Sequence, residues 1–278
     1  MQLTTRTAYS SYLQTCLLSN ISFVMSPDST LNELYGIQAG IAPIRTPTLG
    51  YYAIGNGGHK MTIGANGIPL TNPIQHSATD AALYNGIPFV LRPLDNDIDA
   101  VAKAKYALRR IETHDGVQYF AYYLKRLPVN TLVPELNSIS VVNGVSTTNP
   151  FTPTAANLNP VPPPLNNTGV NLVTGDYVSA SAELSIALTA DDVAELLNVA
   201  NVIYGDPGYA IISEIALCSG VDKVVQSPTI NNGSAPFNEA VAVQCISFVN
   251  ALFALAYNSS GIDILLDVGA TESLFQLE

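Results

Sequence analysis

Tryptophan is absent from these 278 residues, and cysteine and histidine occur three times each. Ionised side chains are scarce as well. Asp, Glu, Lys and Arg make up 12% of the chain, about half the usual share of ~25%. Each shortage excludes something. Cys16, Cys218 and Cys245 are widely separated and share no ligand spacing, so free thiols are expected rather than a disulfide frame or a zinc site. His59, His76 and His114 have no HExxH, CxxC or GxSxG pattern around them, and no zinc or triad signature follows. The most apolar stretch, Ala240–Ala256, is broken by Gln244, Ser247 and Asn250 and is shorter than the ~20 residues of a membrane span. The first twenty residues lack the charged-then-apolar order of a secretion signal. A soluble protein made in a cytoplasm is expected.

Cations are missing from one half. Residues 1–126 carry ten of the eleven Lys and Arg against eight Asp and Glu, a net of +2. Residues 127–278 carry only Lys223 against fourteen acids, a net of −13. Such polarity suits a subunit that chooses partners and orientation electrostatically. The overall charge of −11 argues against a protein that coats nucleic acid. What covers the surface instead is Asn, Ser, Thr, Gln, apolar groups and fourteen Tyr. That surface is poorly defended against association, and Tyr is enriched at interfaces.

Residues 1–40 read as helical or mixed. Ser26-Pro27-Asp28 would cap a helix carrying Leu31, Leu34, Tyr35 and Gln38. Residues 41–75 are dense in Gly and Pro, which predicts short strands and tight turns. Tyr106–Thr113 and Val117–Leu127 flank His114-Asp115-Gly116, a hairpin pattern because Gly accepts the positive φ the turn requires. Residues 128–170 hold eight prolines and read as a linker or an arm. Tyr177–Leu188 alternates as a strand. Thr189, Asp191 and Asp192 open a helix with Val193, Leu196, Leu197, Ala200 and Ile203 on one face. Tyr209–Leu217 and Gly261–Leu266 read as strands, and Pro236–Tyr257 as a central helix. The expected class is α+β. A β-rich part spans 1–127 with its hairpin at 105–127, the Pro-rich linker or arm spans 128–170, and an acidic mixed α/β domain spans 171–278.

Motifs with chemical content are weak. Gly55-Asn56-Gly57-Gly58-His59-Lys60 lacks phosphate-loop spacing and reads as a tight turn. Asp95, Asp97 and Asp99 begin like a calcium loop, but Ala100 and Tyr106 stand where Gly and Glu are needed. A first-turn acid cluster that favours the dipole of a short helix explains the acids better. No catalytic residue, cofactor, metal or small-molecule substrate is expected. The candidate interface is the basic, Tyr-rich hairpin: Arg109, Arg110, Tyr119, Tyr122, Tyr123, Lys125 and Arg126. It suits protein neighbours better than nucleic acid, which the acidic half would repel.

Three stretches carry a resemblance: Tyr51–His59 (YYAIGNGGH), Gln75–Ile98 (QHSATDAALYNGIPFVLRPLDNDI) and Ile212–Val225 (ISEIALCSGVDKVV). The hairpin end AYYLKRL adds to it. In style they resemble structural proteins of tailed bacteriophage virions. The resemblance implies a non-enzymatic baseplate, tail or neck component in several symmetric copies. Its partners would be other virion proteins and copies of itself, with no membrane. It implies synthesis in the host bacterial cytoplasm and residence in the virion. The alternatives are a host-receptor or glycan-binding tail module that uses exposed Tyr and Asn, and a hydrolase acting at His76 or His114.

Overall fold

The run that reads as a central helix is a strand. In a computed structural model, which describes residues 3–6, 14, 17, 34–37, 47–152, 171–229, 234–257 and 260–277, Ser234–Ala254 is one strand of 21 residues. It is buried on both faces over most of its length. A strand covered on both sides needs no polar alternation, so it shows the same unbroken apolar pattern as a buried helix. Val241, Val243, Ile246, Phe248 and Val249 settle the matter physically, since β-branched and aromatic side chains pack well on a pleated surface.

Fourteen strands are delimited among the described residues. In chain order they are β1 (Leu3–Arg6), β2 (Thr48–Gly55), β3 (His59–Ile63), β4 (Pro69–Pro73), β5 (Gly86–Ile87), β6 (Val90–Pro93), β7 (Tyr106–His114), β8 (Val117–Arg126), β9 (Glu135–Val142), β10 (Val145–Pro150), β11 (Asn171–Leu188), β12 (Ile211–Pro228), β13 (Ser234–Ala254) and β14 (Ile262–Leu277). Two α-helices are delimited among the described residues, α1 (Ala100–Lys103) and α2 (Ala190–Tyr204). Three sheets result, with antiparallel pairing. One has eight strands in the order β1-β13-β12-β2-β8-β6, with β5 on β2 and β7 on β8. One has four, β10-β9-β11-β14, and β3 and β4 pair alone. The fold is therefore mostly β. This corrects the α+β expectation and removes the separate mixed α/β domain at 171–278.

The chain divides into two units. The first comprises residues 1–127 and 188–262, the second 128–187 and 263–278. The acidic stretch 171–278 is shared between them, because β12 and β13 complete the sheet that β2 begins. The tract from 128 is also structured in its described part. Asn143 and Gly144 have φ of 52° and 78° and close a two-residue hairpin between β9 and β10, as an Asn-Gly pair favours. The arm expected near 153–170 lies outside the described residues, as does most of the helix expected near 27–38.

In the first unit Thr189 caps α2 through a reciprocal bond with Asp192, and Gly205 ends it at φ 75°. The helix buries Val193, Leu196, Val199 and Ala200. Leu91, Leu108, Leu124, Ala216, Cys218, Val243 and Phe248 lie in the apolar core of the same unit.

Candidate functional site

Glu214 is an acid inside the apolar strand β12, and it is fully buried. Its cross-strand neighbours are Gly55 on β2 and Asn250 on β13. A register shift between Ile212 and Glu214 locally re-aims the strand, as bulges do. Gly55 is required beside it, since a Cβ there would lie 2.5 Å from the Glu214 Oε1 atom. Gly58 allows equally close passage, because its Cβ would meet the Ser213 carbonyl at 2.5 Å. The glycine-rich turn is thus a close backbone approach to a buried carboxylate.

Glu214 accepts hydrogen bonds from the backbone N–H groups of Gly57, Tyr84 and Asn85, each at 2.9 Å. His76 Nε2 lies 2.9 Å from Glu214 Oε2, the oxygen that also accepts from Tyr84. The second ring nitrogen, Nδ1, lies 2.9 Å from Asp80. The ring thus bridges two carboxyl groups through its two nitrogens. The ring is stacked between Tyr84 at 4.1 Å and Phe248 at 3.9 Å. Asn250 accepts from the His76 N–H and donates to the Ile74 carbonyl at 2.6 Å. Burial alone would push the Glu214 carboxyl up, but the His76 hydrogen bond and three backbone donors outweigh it and hold it below its ordinary value. Asp80 is also held low: slight burial opposes, while Ser77 N–H and His76 lower it.

Chemically this is a clamp. A general base must reach a proton on its substrate. Here both imidazole nitrogens are engaged, both ring faces are covered, and the side chain is buried. Ser77 hydrogen-bonds to Thr79 and to Asp80 through its own backbone, not to the ring. Among the described residues no group of His, Cys, Asp and Glu could hold a metal. His114 pairs with Glu112 at 3.1 Å beside the hairpin turn. What Glu214 does is fasten Gly57, His76, Tyr84 and Asn85, which bracket the β3–β4 hairpin.

The basic hairpin faces its own unit. Arg109 is only 5% exposed; it bonds to Ser227 at 2.8 and 3.0 Å, pairs with Asp97 at 3.3 Å, and covers Phe120 at 4.6 Å. Arg110 grips Glu239 through two N–H groups at 2.8 and 3.1 Å. Lys125 pairs with Asp192 at 2.7 Å, and Arg126 with Asp222 at 2.6 Å while covering Tyr51. Arg92 adds a pair with Glu195. Tyr122 is buried and donates to Asp97 at 2.8 Å; Tyr123 is buried and donates to Glu112. Tyr119 is half-buried, edge-on to His114. The hairpin does unite these seven residues, but Arg109, Tyr122, Tyr123 and Lys125 are buried and have little area to offer a partner.

Asp99 caps α1 by accepting from Ala102, and Asp97 pairs with Lys103 at 2.7 Å. Cys218 and Cys245 are buried, not joined by a disulfide, and directly opposite on β12 and β13. Sequence spacing hid both the cysteine pair and the Glu214–His76 contact, because they are set by strand register. One signal was visible: a lone Glu within the apolar run Ile211–Leu217 needs a buried partner.

Fold and site together define an antiparallel β protein whose large sheet is locked by buried ion pairs and one carboxylate clamp. The chain belongs to a family of unknown function (DUF7208), matched over residues 1–278. No curated protein and no solved structure matches it. No helix among the described residues is long and apolar enough to cross a membrane.

Proposed function

We propose that the protein is a structural, non-enzymatic component of a tailed-phage virion, assembling through protein–protein contacts in the baseplate, tail or neck. The phage assignment rests on the resemblance of residues 51–59, 75–98 and 212–225. The assembly part is supported chiefly by the β3–β4 hairpin. Met61 is paired with Thr71 and Ile63 with Pro69, so these side chains share one face. Met61 is 65% exposed and Ile63 79%, with Ile68 and Leu70 exposed nearby. A two-stranded hairpin is marginal by itself, and this one is fastened at its base by Glu214. An apolar hairpin held out in this way is a liability in a free monomer and a contact in an assembly. The partners are neighbouring virion proteins and further copies of the chain, and the site of synthesis is the host bacterial cytoplasm.

The test is incorporation. Met61→Ser, Ile63→Ser and Leu70→Ser together should leave the melting curve of the isolated chain unchanged. Their recovery in purified particles, by quantitative mass spectrometry, should fall by roughly tenfold or more, the scale expected for removed interface anchors. Wild-type recovery of this variant, or absence of the native chain from particles, would contradict the proposal.

A further inference from the structure

Only three cysteines occur in 278 residues, and two of them, Cys218 and Cys245, fall on facing positions of the β12–β13 ladder. For so rare a residue, random placement seldom gives such a pair. Directly opposed residues share a face of the sheet, with Cα atoms about 4.5 or 5.5 Å apart. Disulfides bridge Cα separations of about 4.4–6.8 Å, so the register alone brings the pair within bridging reach. A hydrogen bond to Cys245, and after it burial, push the Cys218 thiol well above its ordinary value. It therefore stays protonated, and unreactive, inside the closed sheet.

As a small apolar filler, cysteine suits the core that the pair shares with Ala216, Val243 and Phe248. Filling alone does not explain the ladder around it. Pairing of β12 with β13 shifts register between Leu217 and Cys218, and again between Ser219 and Val221. Ala242 on β13 has a φ of 54°, a left-handed conformation that a residue with a Cβ adopts at a cost. The rung beside the cysteines sets Ser219 against Gln244. Both are buried, and neither the Ser219 hydroxyl nor the Gln244 amide has a hydrogen-bond partner among the described residues. Interrupted pairing and unpaired buried polar groups weaken the seam locally. It is here that β12 and β13 part most readily, and here that a covalent staple has most to add.

We propose that Cys218 and Cys245 form a latent redox site: a reducing medium keeps them as two thiols, and a low-molecular-weight disulfide of the oxidised-glutathione class converts them to a disulfide joining β12 to β13. When the seam opens, one cysteine thiolate attacks the S–S bond of the reagent, forms a mixed disulfide and releases one small thiol. The other cysteine thiolate attacks the protein sulfur of that mixed disulfide and releases the second small thiol. The two cysteines lose two electrons, the reagent gains them, and the two cysteine protons end on the released thiols. The new bond closes the loop between residues 218 and 245, which removes chain entropy from the unfolded state.

The full chain is equilibrated in mixtures of reduced and oxidised glutathione, at a urea concentration just below its unfolding transition, and mapped by mass spectrometry without reduction. The oxidised chain should lose about 2 Da, the two thiol hydrogens, and carry the Cys218–Cys245 link. Its thermal midpoint should exceed that of the reduced chain by about 5 °C or more. Cys218→Ala and Cys245→Ala should each abolish this difference, and Cys16→Ala should keep it. Alanine at a buried site can weaken the fold by itself, so each variant is compared with itself in the two buffers, and the link is mapped in the native chain. A link from either residue to Cys16, glutathione adducts without a link, or thiols that stay reduced would overturn the site. So would a Cys218–Cys245 link that leaves the midpoint unchanged or lowers it. Particle incorporation of the Met61, Ile63 and Leu70 variant does not depend on this bond, so the two readings fail separately.

Discussion

The two units handle charge in opposite ways. The first holds all eleven cations and all three histidines, and it turns many of them onto its own acids. Arg92, Arg110, Lys125 and Arg126 pair with Glu195, Glu239, Asp192 and Asp222. Those acids come from the half of the sequence that looks unbalanced. The second unit has acids only, and a groove bordered by three of them. The charge boundary along the sequence thus does not coincide with the boundary between the structural bodies. Strands β12 and β13 and helix α2 carry their acids back to the basic hairpin and Arg92, and the uncompensated charge is left on a smaller piece.

The sharpest way to break this contrast is at Glu214. Glu214→Ala should cost about 3–5 kcal/mol in urea unfolding, because it leaves the buried His76 ring and three backbone donors without their partner. A loss under ~1 kcal/mol would mean that the first unit does not depend on internal pairing. Lys125→Ala comes next, at about 2 kcal/mol, since it leaves the mostly buried Asp192 carboxylate without its ion pair.

Acid offers a milder probe. Glu214 and Asp80 are held below their ordinary values of 4.5 and 3.8. Groups depressed in this way add stability above their unfolded values and lose it as pH falls through the folded ones. The urea midpoint should therefore be flat from neutral pH to about 5 and drop below about 4.5, more steeply in the native chain than in Glu214→Gln. Equal slopes would remove Glu214 from the account. Smallest of all should be Glu135→Gln, Glu183→Gln and Asp267→Asn, within about 0.5 kcal/mol of native stability. A large loss there would show that those acids are structural.

Local chemistry made some elements legible. Thr189 with Asp192 announced α2, and Asp115-Gly116 announced the β7–β8 turn, because caps and tight turns are decided by a few adjacent residues. Asn143-Gly144 carried the same information for β9 and β10, though it lies in a proline-rich tract whose composition is that of a linker. Strand β13 was opaque for a different reason: burial on both faces erases the two-residue period. The Glu214–His76 contact spans 138 residues and depends on a bulge and on Gly55, neither of which a motif search weighs. The hairpin's composition suited an interface, yet composition does not say which face of a strand is covered.

Carboxyl footprinting with carbodiimide and an amine, read by mass spectrometry on the free chain and on assembled particles, tests the central claim most directly. Glu135, Glu183 and Asp267 should label fast, while Glu214 and Glu239 stay protected in the free chain and in the particle. Labelling of Glu214 and Glu239 in the free chain as fast as Glu183 would contradict the account.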